Sequence, residues 1–285
     1  MSWCCYRLVF RLRSPLHVGA GQVGNVQRTR PYVTGKALWG ALTARITRDT
    51  HPSATAADYR RIGEQVNEQL AFSYFYPAVD KEIDVWPWGK TADEFSWRYL
   101  NTYAATALDY PCNTATEGSL HEAEFISPVT RNGEAVDLIG YIFQQEGCQL
   151  PWKDKETLNR LQLGGERTYG WGRVKLESEP LPTNEVFCYR FELKWKRPIV
   201  IVPANSVLLA HTLAADFDDE GVIQRAVRSI QGQIEPLVGR ETTIQNRFGA
   251  HRSEARICYV PGSQVKTELK VRVGAYGIWE AIDDA

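Results

Sequence analysis

An alternating pattern near the start of the chain determines its first structural element. Residues 6–13 place an apolar side chain at every second position. The apolar set is Tyr6, Leu8, Phe10 and Leu12, and the intervening set is Arg7, Val9, Arg11 and Arg13. A repeat of two residues is typical of a half-buried β-strand. The pattern therefore predicts a strand with one face on a core and a mostly basic opposite face.

The segment after this strand combines turn residues, arginines and the start of a helix. The strand ends at Pro15, because proline cannot donate to a β-ladder, and a glycine-punctuated loop follows over residues 16–24. Thr34 can cap a helix over residues 35–48. Between the loop and the helix stand two arginines, Arg28 and Arg30. A strand, a glycine loop and a helix N-terminus beside arginines can together hold phosphates.

Charge is distributed unevenly along the chain. The sequence has 33 basic and 34 acidic residues, yet residues 1–48 contain eight basic residues and no acid. Such asymmetry points to a polyanionic partner more strongly than the overall pI does. The formal net charge of −1 argues against tight RNA binding by the isolated chain.

Composition excludes several classes of protein. A hydrophobic content of 44% and nine tryptophans exclude a disordered chain. No apolar run approaches the roughly 20 residues of a membrane span, and the N-terminus has no signal-peptide core, so we expect a cytoplasmic protein without a membrane partner. None of the six cysteines forms a CxxC pair, so we expect neither a zinc site nor another metal or cofactor.

The remainder of the first half is interpreted as mixed α and β structure. Residues 52–71 have helical spacing, and residues 71–76 form a short aromatic strand. Residues 77–118 lack periodicity and are interpreted as an insertion or long loop. The runs 121–127 and 135–143 flank Asn132-Gly133, which predicts a hairpin.

A second glycine-rich stretch, residues 163–174, is a candidate binding loop. It combines four glycines with two arginines and two aromatic residues: Arg167, Tyr169, Trp171 and Arg173. Glycines allow the backbone to approach a ligand, arginines bind phosphate and aromatic rings stack on bases. An ordinary turn with Trp171 in the core explains the composition equally well, and no Walker lysine follows.

The second half is predicted to contain the same kinds of element as the first: strands, a helix and a basic glycine loop. Residues 178–184 are the best candidate linker. Beyond them we predict strands within 186–202, a helix over 222–237, a basic glycine loop over 246–252, and strands over 256–260 and 265–273. The whole chain is therefore predicted to be α+β, with two units built on antiparallel sheets.

Two motifs in this order resemble the RAMP superfamily, the repeat-associated subunits of CRISPR effectors. They are Ser-Pro-Leu-His-Val-Gly-Ala-Gly (14–21) with Thr-Arg-Pro-Tyr-Val-Thr-Gly-Lys-Ala-Leu-Trp-Gly-Ala-Leu (29–42), and Gly-Gly-Glu-Arg-Thr-Tyr-Gly-Trp-Gly-Arg-Val (164–174). The resemblance implies a ferredoxin-like (RRM-like) domain over 1–178, with an insertion around 77–118 and a hairpin over 121–143. It leaves 185–285 as a second, diverged ferredoxin-like domain.

The resemblance also implies partners and binding residues. The partners would be a CRISPR guide RNA, other RAMP subunits, the large subunit of a type III complex and, indirectly, target RNA. The expected RNA-binding residues are Arg28, Arg30, Lys36, Arg167, Tyr169, Trp171 and Arg173.

The expected role follows from a departure from the family pattern. Target-cleaving relatives usually carry an Asp between the two parts of the first motif, and here the interval between Gly21 and Arg28 has no acid. A non-catalytic subunit that holds the 5′ handle of the guide fits best, and an inactive backbone-type subunit is close to it. The alternatives are a metal-independent ribonuclease that processes repeat RNA through His17, and a scaffold that binds only protein.

Overall fold

The computed structural model describes residues 2–85, 92–217, 223–241, 251–252 and 255–282. The helices are α1 (Gly35–Thr50), α2 (Ala56–Gln69), α3 (Phe95–Tyr99) and α4 (Lys155–Asn159). The strands of the first half are β1 (Trp3–Leu12), β2 (Gly19–Val23), β3 (Val26–Thr29), β4 (Leu70–Phe72), β5 (Tyr76–Val79), β6 (Glu82–Ile83), β7 (Leu100–Ala105), β8 (Leu108–Asp109), β9 (Thr114–Ala115), β10 (His121–Ile126), β11 (Asp137–Gln145) and β12 (Val174–Leu176).

The remaining strands are β13 (Leu181–Pro182), β14 (Arg190–Glu192), β15 (Ile199–Val202), β16 (Thr212–Leu213), β17 (Ala215–Phe217), β18 (Ile223–Ala226), β19 (Ile230–Gln231), β20 (Ile234–Leu237), β21 (Arg240–Glu241), β22 (His251–Arg252), β23 (Arg256–Tyr259), β24 (Gln264–Val265), β25 (Leu269–Val273) and β26 (Trp279–Ile282). Single 3₁₀ turns occur at Arg167–Tyr169 and Ala275–Gly277.

The first half is built on a sheet with β1 near its centre. Its strand order is β12-β1-β11-β5-β6, and β4 also pairs with β11. β1 and β11 are antiparallel, in register from Trp3 opposite Gln145 to Arg11 opposite Asp137. The alternation in residues 6–13 correctly predicted a strand, and Leu8, Phe10 and Leu12 are buried in one apolar core beneath the helices. The predicted mostly basic, exposed opposite face is wrong, because Val9 is buried on that face and Arg11 is paired with Asp137.

Helices α1 and α2 follow β1, and the first begins where the sequence predicts. The Thr34 side chain accepts a hydrogen bond from the N–H of Ala37, which satisfies one of the free donors of the first turn. The second helix begins at Ala56 rather than at residue 52. Thr55 and Asp58 form a reciprocal capping box there, and this local hydrogen bonding sets the start of the helix.

The hairpin predicted over 121–143 is wrong in its strand pairing but correct at its turn, where Val129 pairs with Ala135. Its turn exists, because the N–H of Gly133 donates to the carbonyl of Thr130, but β10 and β11 belong to different sheets. β10 lies in a four-stranded sheet of order β2-β3-β10-β7. Ile126 is tied to Leu16 by two backbone hydrogen bonds, and this pairing draws β10 away from β11.

Part of the predicted insertion over 77–118 belongs to the framework of the fold. β5 is a buried strand of the central sheet, and β7 pairs with β10 along six residue pairs. Trp86, Trp88 and Lys90 lie outside the described residues. The described part of this segment is therefore integrated into the central sheet and into the sheet that contains β10.

The second half, from Glu185 onward, contains a sheet of order β14-β15-β25-β26-β16-β23-β20. The helix predicted over 222–237 is wrong, because β18, β19 and β20 occupy its described residues. The helix was predicted from Val222, Ala226 and Ile230, whose spacing of four residues suits one face of a helix or of a strand. Gly232 and Pro236 disfavour a helix. The loop predicted over 246–252 lies outside the described residues except for β22.

The two halves share one apolar core. Side chains from the first half, including Trp3, Tyr74 and Tyr76, pack in the same buried cluster as Val200 and Trp279 from the second half. The predicted linker over 178–184 is not free, because β13 pairs with β1. The predicted α+β class is confirmed, and the ferredoxin-like arrangement of each half stays a prediction. Within the described ranges, no helix has the length and apolar character needed to cross a membrane.

Candidate nucleic-acid interface

Backbone hydrogen bonds bring the two glycine-containing motifs together. The N–H of Gly165 donates to the carbonyl of His17 at 2.8 Å, and the N–H of Gly172 donates to that of Pro15 at 2.7 Å. The N–H of Arg13 donates to the carbonyl of Arg173 at 2.8 Å. We call residues 163–174 the glycine loop. Segments some 150 positions apart in sequence thus form one local structure.

Two glycines of this loop are required by packing within the protein. Gly164 has a φ of +72°, and a Cβ there would stand 2.1 Å from the carbonyl oxygen of His17. Gly172 has a φ of +78°, and its Cβ would stand 1.8 Å from the carbonyl oxygen of Leu163. Both positions combine a left-handed backbone with a close contact that only glycine allows. These glycines therefore serve the joint between the motifs, whatever the loop binds.

Exposed arginines cluster at this joint. Arg13, Arg167 and Arg173 are exposed, and none of them forms an ion pair with a carboxylate in the described part of the chain. Arg167 donates from Nε to the carbonyl of Gly164 at 2.9 Å. Partial desolvation, followed by the nearby charge of Arg48, lowers the pKa of Arg167 below the usual arginine range. The two arginines of the loop therefore have no carboxylate partner among the described residues.

The two aromatic residues of the glycine loop differ in exposure. The Tyr169 side chain is 60% exposed, whereas Trp171 is only 8% exposed. The Trp171 ring packs edge to face on Phe125, with centroids 5.0 Å apart, and also contacts Tyr103. Its burial matches the alternative interpretation, a turn with Trp171 in the core, and argues against base stacking. Tyr169 remains available to a ligand.

Arg28 and Arg30, both expected to bind RNA, have protein partners. Arg28 lies with Nε 3.1 Å from a carboxylate oxygen of Glu124 and is 55% exposed. The Arg30 side chain is only 13% exposed and lies 2.7 Å from the carboxylate of Glu235 in the second half. Arg28 can still reach a ligand, whereas Arg30 holds the two halves together.

A cleft of about 420 Å³ opens between the helix start, the glycine loop and the second half. We call it the central cleft. Its lining includes three of the expected binding residues, Arg30, Lys36 and Arg167. Lys36 Nζ stands 4.9 Å above the ring of Tyr276. No carboxylate is among the described residues that line the cleft.

Two aromatic residues of this cleft were not among the expected binding residues. Trp39 lies on α1 with its indole N–H bonded to the carbonyl of Gly63, and Tyr276 comes from the second half. Their rings meet edge to face with centroids 4.8 Å apart. Trp39 falls inside the first motif, so its position was a usable signal. No motif surrounds Tyr276, and only the tertiary structure brings it here.

One wall of the central cleft rests on a buried polar network. Tyr74 donates to Nδ1 of His211 at 2.7 Å, and Nε2 of His211 lies 2.6 Å from the carboxylate of Glu235. Burial lowers the pKa of His211. Burial alone would raise the pKa of Glu235, but the hydrogen bond from His211, followed by the charge of Arg30, brings it to about 2. A neutral His211 accepts the hydrogen bond from Tyr74 at Nδ1 and donates from Nε2 to the ionised carboxylate of Glu235. Each of these polar groups therefore has a hydrogen-bond partner.

His17 is 6% exposed and lies at the joint itself. Its Nδ1 is 2.7 Å from the carbonyl oxygen of Glu124, so Nδ1 carries the proton and donates. The carboxylate of Glu124 accepts hydrogen bonds from the N–H of Thr29 and from Arg28. His17 thus connects β10 to the glycine loop, through its ring on one side and its carbonyl on the other.

Comparisons with known proteins identify a shared fold. No family model matches this chain, and no curated protein matches it. Among solved structures, one match is a chain of "Cryo-EM structure of the Type III-B Cmr-beta bound to cognate target RNA and AMPPnP, state 1", with a TM-score of 0.55 and 13% identity over 91% of this chain and 86% of that one.

Two further matches come from the same system. One is "Cryo-EM structure of the Type III-B Cmr-beta bound to cognate target RNA", with a TM-score of 0.48 and 12% identity over 91% of this chain and 86% of that one. The other is "Type III-B Cmr-beta Cryo-EM structure of the Apo state", with a TM-score of 0.38 and 10% identity over 61% of this chain and 96% of that one. The first match establishes that this chain has the fold of a chain in a type III-B Cmr-beta structure.

Proposed function

We propose that this chain is a non-catalytic subunit of a type III CRISPR interference complex that binds the guide RNA and holds its repeat-derived 5′ handle. One observation carries the proposal: the joint between residues 14–21 and the glycine loop gathers Arg13, Arg167 and Arg173 without a described carboxylate partner. Guanidinium groups free of acids suit phosphate contacts. The fold shared with a Cmr-beta chain supports the same assignment at the level of architecture.

The first half is proposed to be a ferredoxin-like, RAMP-type domain. In spatial order its sheet runs β12-β1-β11-β4, with every pairing antiparallel. Helices α1 and α2 connect β1 to β4, and α4 connects β11 to β12. This order supports the proposal, because it is the one expected of the split βαβ arrangement in the ferredoxin-like class. The β2–β3 hairpin and β7–β10 are then additions to it.

The subunit is proposed to act without cleaving RNA. The β2–β3 hairpin, which spans the interval where cleaving relatives carry an Asp, contains no acid. The nearby carboxylate of Glu124 is held by the N–H of Thr29 and the guanidinium of Arg28. A carboxylate engaged in this way supports a structural role for Glu124. The remaining partners would be other RAMP subunits, the large subunit and, through the guide, target RNA.

The test is a charge reversal at the joint. The double variant Arg167→Glu/Arg173→Glu should abolish recovery of guide RNA when the tagged protein is purified from its native host. The matched control is Lys194→Glu/Lys196→Glu, which reverses two exposed cations of the second half. The control should recover RNA as the unmodified protein does.

Sequencing and melting curves decide the interpretation. Uniform repeat-derived 5′ ends in the recovered RNA, together with other CRISPR subunits, would support the handle-binding role. Equal melting temperatures of the two double variants would show that the loss of RNA is not a loss of folding. Unchanged RNA recovery by the Arg167→Glu/Arg173→Glu protein would refute the proposal, and recovery of protein partners without RNA would favour a scaffold.

A further inference from the structure

The second half contributes an aromatic side chain to the central cleft. Tyr276 lies in the turn Ala275–Gly277, which packs on the start of α1 so closely that a Cβ on Gly35 would stand 2.4 Å from the carbonyl oxygen of Tyr276. The N–H of Tyr276 faces the side-chain oxygen of Asn67 at 3.4 Å. The turn is therefore fixed against α1 and α2.

Tyr276 is held in a strained backbone conformation. Its φ is 59° and its ψ is 17°, which lie in the left-handed region that bulky residues rarely adopt. Such strain costs about 1–3 kcal/mol and occurs mostly at functional sites. A glycine would relieve it, yet the chain has a tyrosine whose ring lines the cleft. The side chain is thus retained at an energetic cost, which points to a role for the ring.

Gly40 supplies a second, independent observation. It lies within α1, where glycine destabilises a helix relative to alanine, and it lines the central cleft. No atom lies within 4 Å of the position that a Cβ on Gly40 would occupy. The fold itself therefore leaves room for a side chain at this position. Open helix backbone in a cleft is what close approach by a ligand requires.

We infer that the central cleft takes one unpaired nucleotide of the bound RNA, with its base against Tyr276 and its phosphate near Arg167. This inference rests on the proposed function. Base stacking on aromatic rings is a general mode of single-strand binding, and Tyr276 and Trp39 supply the rings. Arg167, which also lines the cleft, supplies a cation without a described carboxylate partner. A volume of about 420 Å³ lies in the range of small-ligand pockets.

The experiment compares how variants respond to salt. The full-length chain is titrated with a random-sequence single-stranded 20-mer RNA at several salt concentrations. Tyr276→Leu should weaken binding about tenfold, because loss of a stacked base typically costs that order of affinity, while the slope of log K against log salt stays unchanged. Tyr276→Phe keeps the ring and should bind as the unmodified protein does. Arg167→Gln should instead reduce the slope by about one.

Gly40→Leu is the complementary variant. Leucine is the better helix former and its side chain would enter the cleft, so the melting temperature should rise while RNA affinity falls. A purely structural role for this position would move both quantities in the same direction. RNA carrying 4-thiouridine should also cross-link to a peptide that contains Tyr276 or Trp39.

The outcomes separate the inference from the proposed function. If Arg167→Gln weakens binding but Tyr276→Leu and Gly40→Leu do not, the inference is wrong and the proposed function stands. If Tyr276→Leu lowers the salt slope, the ring acts through Lys36 and stacking is refuted. Free 5′-AMP or 5′-UMP that binds as tightly as the RNA would assign the cleft to a free nucleotide and overturn the inference. If the unmodified chain and its complex bind no RNA, both fall.

Discussion

The carbonyl oxygen of His17 accepts a hydrogen bond from the N–H of Gly165 at 2.8 Å, and this contact ties the first motif to the glycine loop. Gly164, next to it, leaves no room for a side chain. We predict that Gly164→Ala lowers the free energy of unfolding by about 3 kcal/mol or more, because it adds a clash with His17 to the left-handed backbone penalty. Urea denaturation measures the difference.

Gly147→Ala is the matched control for that substitution. Gly147 has a φ of +80°, and no atom lies within 4 Å of the position that a Cβ there would occupy. The substitution should therefore cost only the left-handed penalty, about 1–2 kcal/mol. Equal losses in the two variants would mean that the joint at His17 relaxes without cost.

The two aromatic residues of the glycine loop should respond in opposite ways. Trp171→Ala should cost about 3–5 kcal/mol of stability, because it empties a buried site beside Phe125. Tyr169→Ala should change stability by less than about 0.5 kcal/mol, since the side chain is 60% exposed, while it weakens RNA binding if the ring stacks on a base. Chemical denaturation and RNA titration of both variants check this. A stable Trp171→Ala protein with weakened RNA binding would reverse the assignment.

The protein should become less stable as the pH falls, because of the network at His211. The pKa of His211 is lowered in the folded state, so below about pH 6.5, its ordinary unfolded value, the unfolded chain binds more protons. The free energy of unfolding therefore decreases as the pH falls through this window. Glu235, with a folded pKa of about 2, extends the loss below about pH 4.5.

The measurement for this network is a set of urea denaturation curves at pH 7, 6 and 5. His211→Gln keeps a donor and an acceptor but cannot titrate, so its stability should fall less over this range than that of the unmodified protein. The readout is the difference between the two slopes, whatever the absolute stability of the variant. Parallel pH curves would contradict a neutral buried His211.

Arg197 should be among the most important cations for stability. Its guanidinium donates to the carbonyl oxygens of Asn67, Val273 and Gly274 at 2.5, 3.1 and 3.0 Å, so it joins the end of α2 to the second half. Burial lowers its pKa. Arg197→Met should cost about 3 kcal/mol, because three carbonyls lose a charged donor. The Arg190 side chain is 78% exposed, so Arg190→Met should change the free energy of unfolding by less than about 0.5 kcal/mol.

His17 distinguishes the proposed function from nuclease activity. We predict that the purified protein leaves labelled repeat RNA intact in the presence of EDTA, because Nδ1 of His17 is bonded to the carbonyl of Glu124 and no second catalytic group is joined to the ring among the described residues. Gel analysis over several hours checks this. Cleavage that disappears in His17→Ala but persists in His51→Ala would establish the ribonuclease alternative.

Local signals in the sequence predicted the elements that local interactions determine. The alternation over residues 6–13 and the Thr34 cap specified β1 and the start of α1, because strand faces and helix caps depend on near neighbours. The hairpin over 121–143 failed because Leu16, more than 100 positions away, pairs with Ile126. The helix over 222–237 failed because apolar residues four positions apart, such as Ala226 and Ile230, fit a helix and a strand equally, and pairing with β23 and β24 decides for strands.

The candidate site was predictable where it rests on motifs. Arg167 and Lys36 stand in motif positions and do line one cleft. Arg30 was expected to meet RNA, but Glu235 from the other half engages it. Tyr276 reaches the cleft only because its turn docks on α1, and no short-range pattern encodes that docking. Contacts between distant segments thus account for most of what the sequence did not reveal.

The pairing of β13 with β1 bears on how the cleft meets its ligand. β13, in the segment that connects the two halves, pairs with β1 of the central sheet, and Tyr6 lies opposite Pro182 in that pairing. Moving one half away from the other would break the hydrogen bonds between β13 and β1 and would also expose the common apolar core. The two halves are therefore joined by a backbone pairing as well as by a common core. We expect the width of the cleft to change little when a ligand binds.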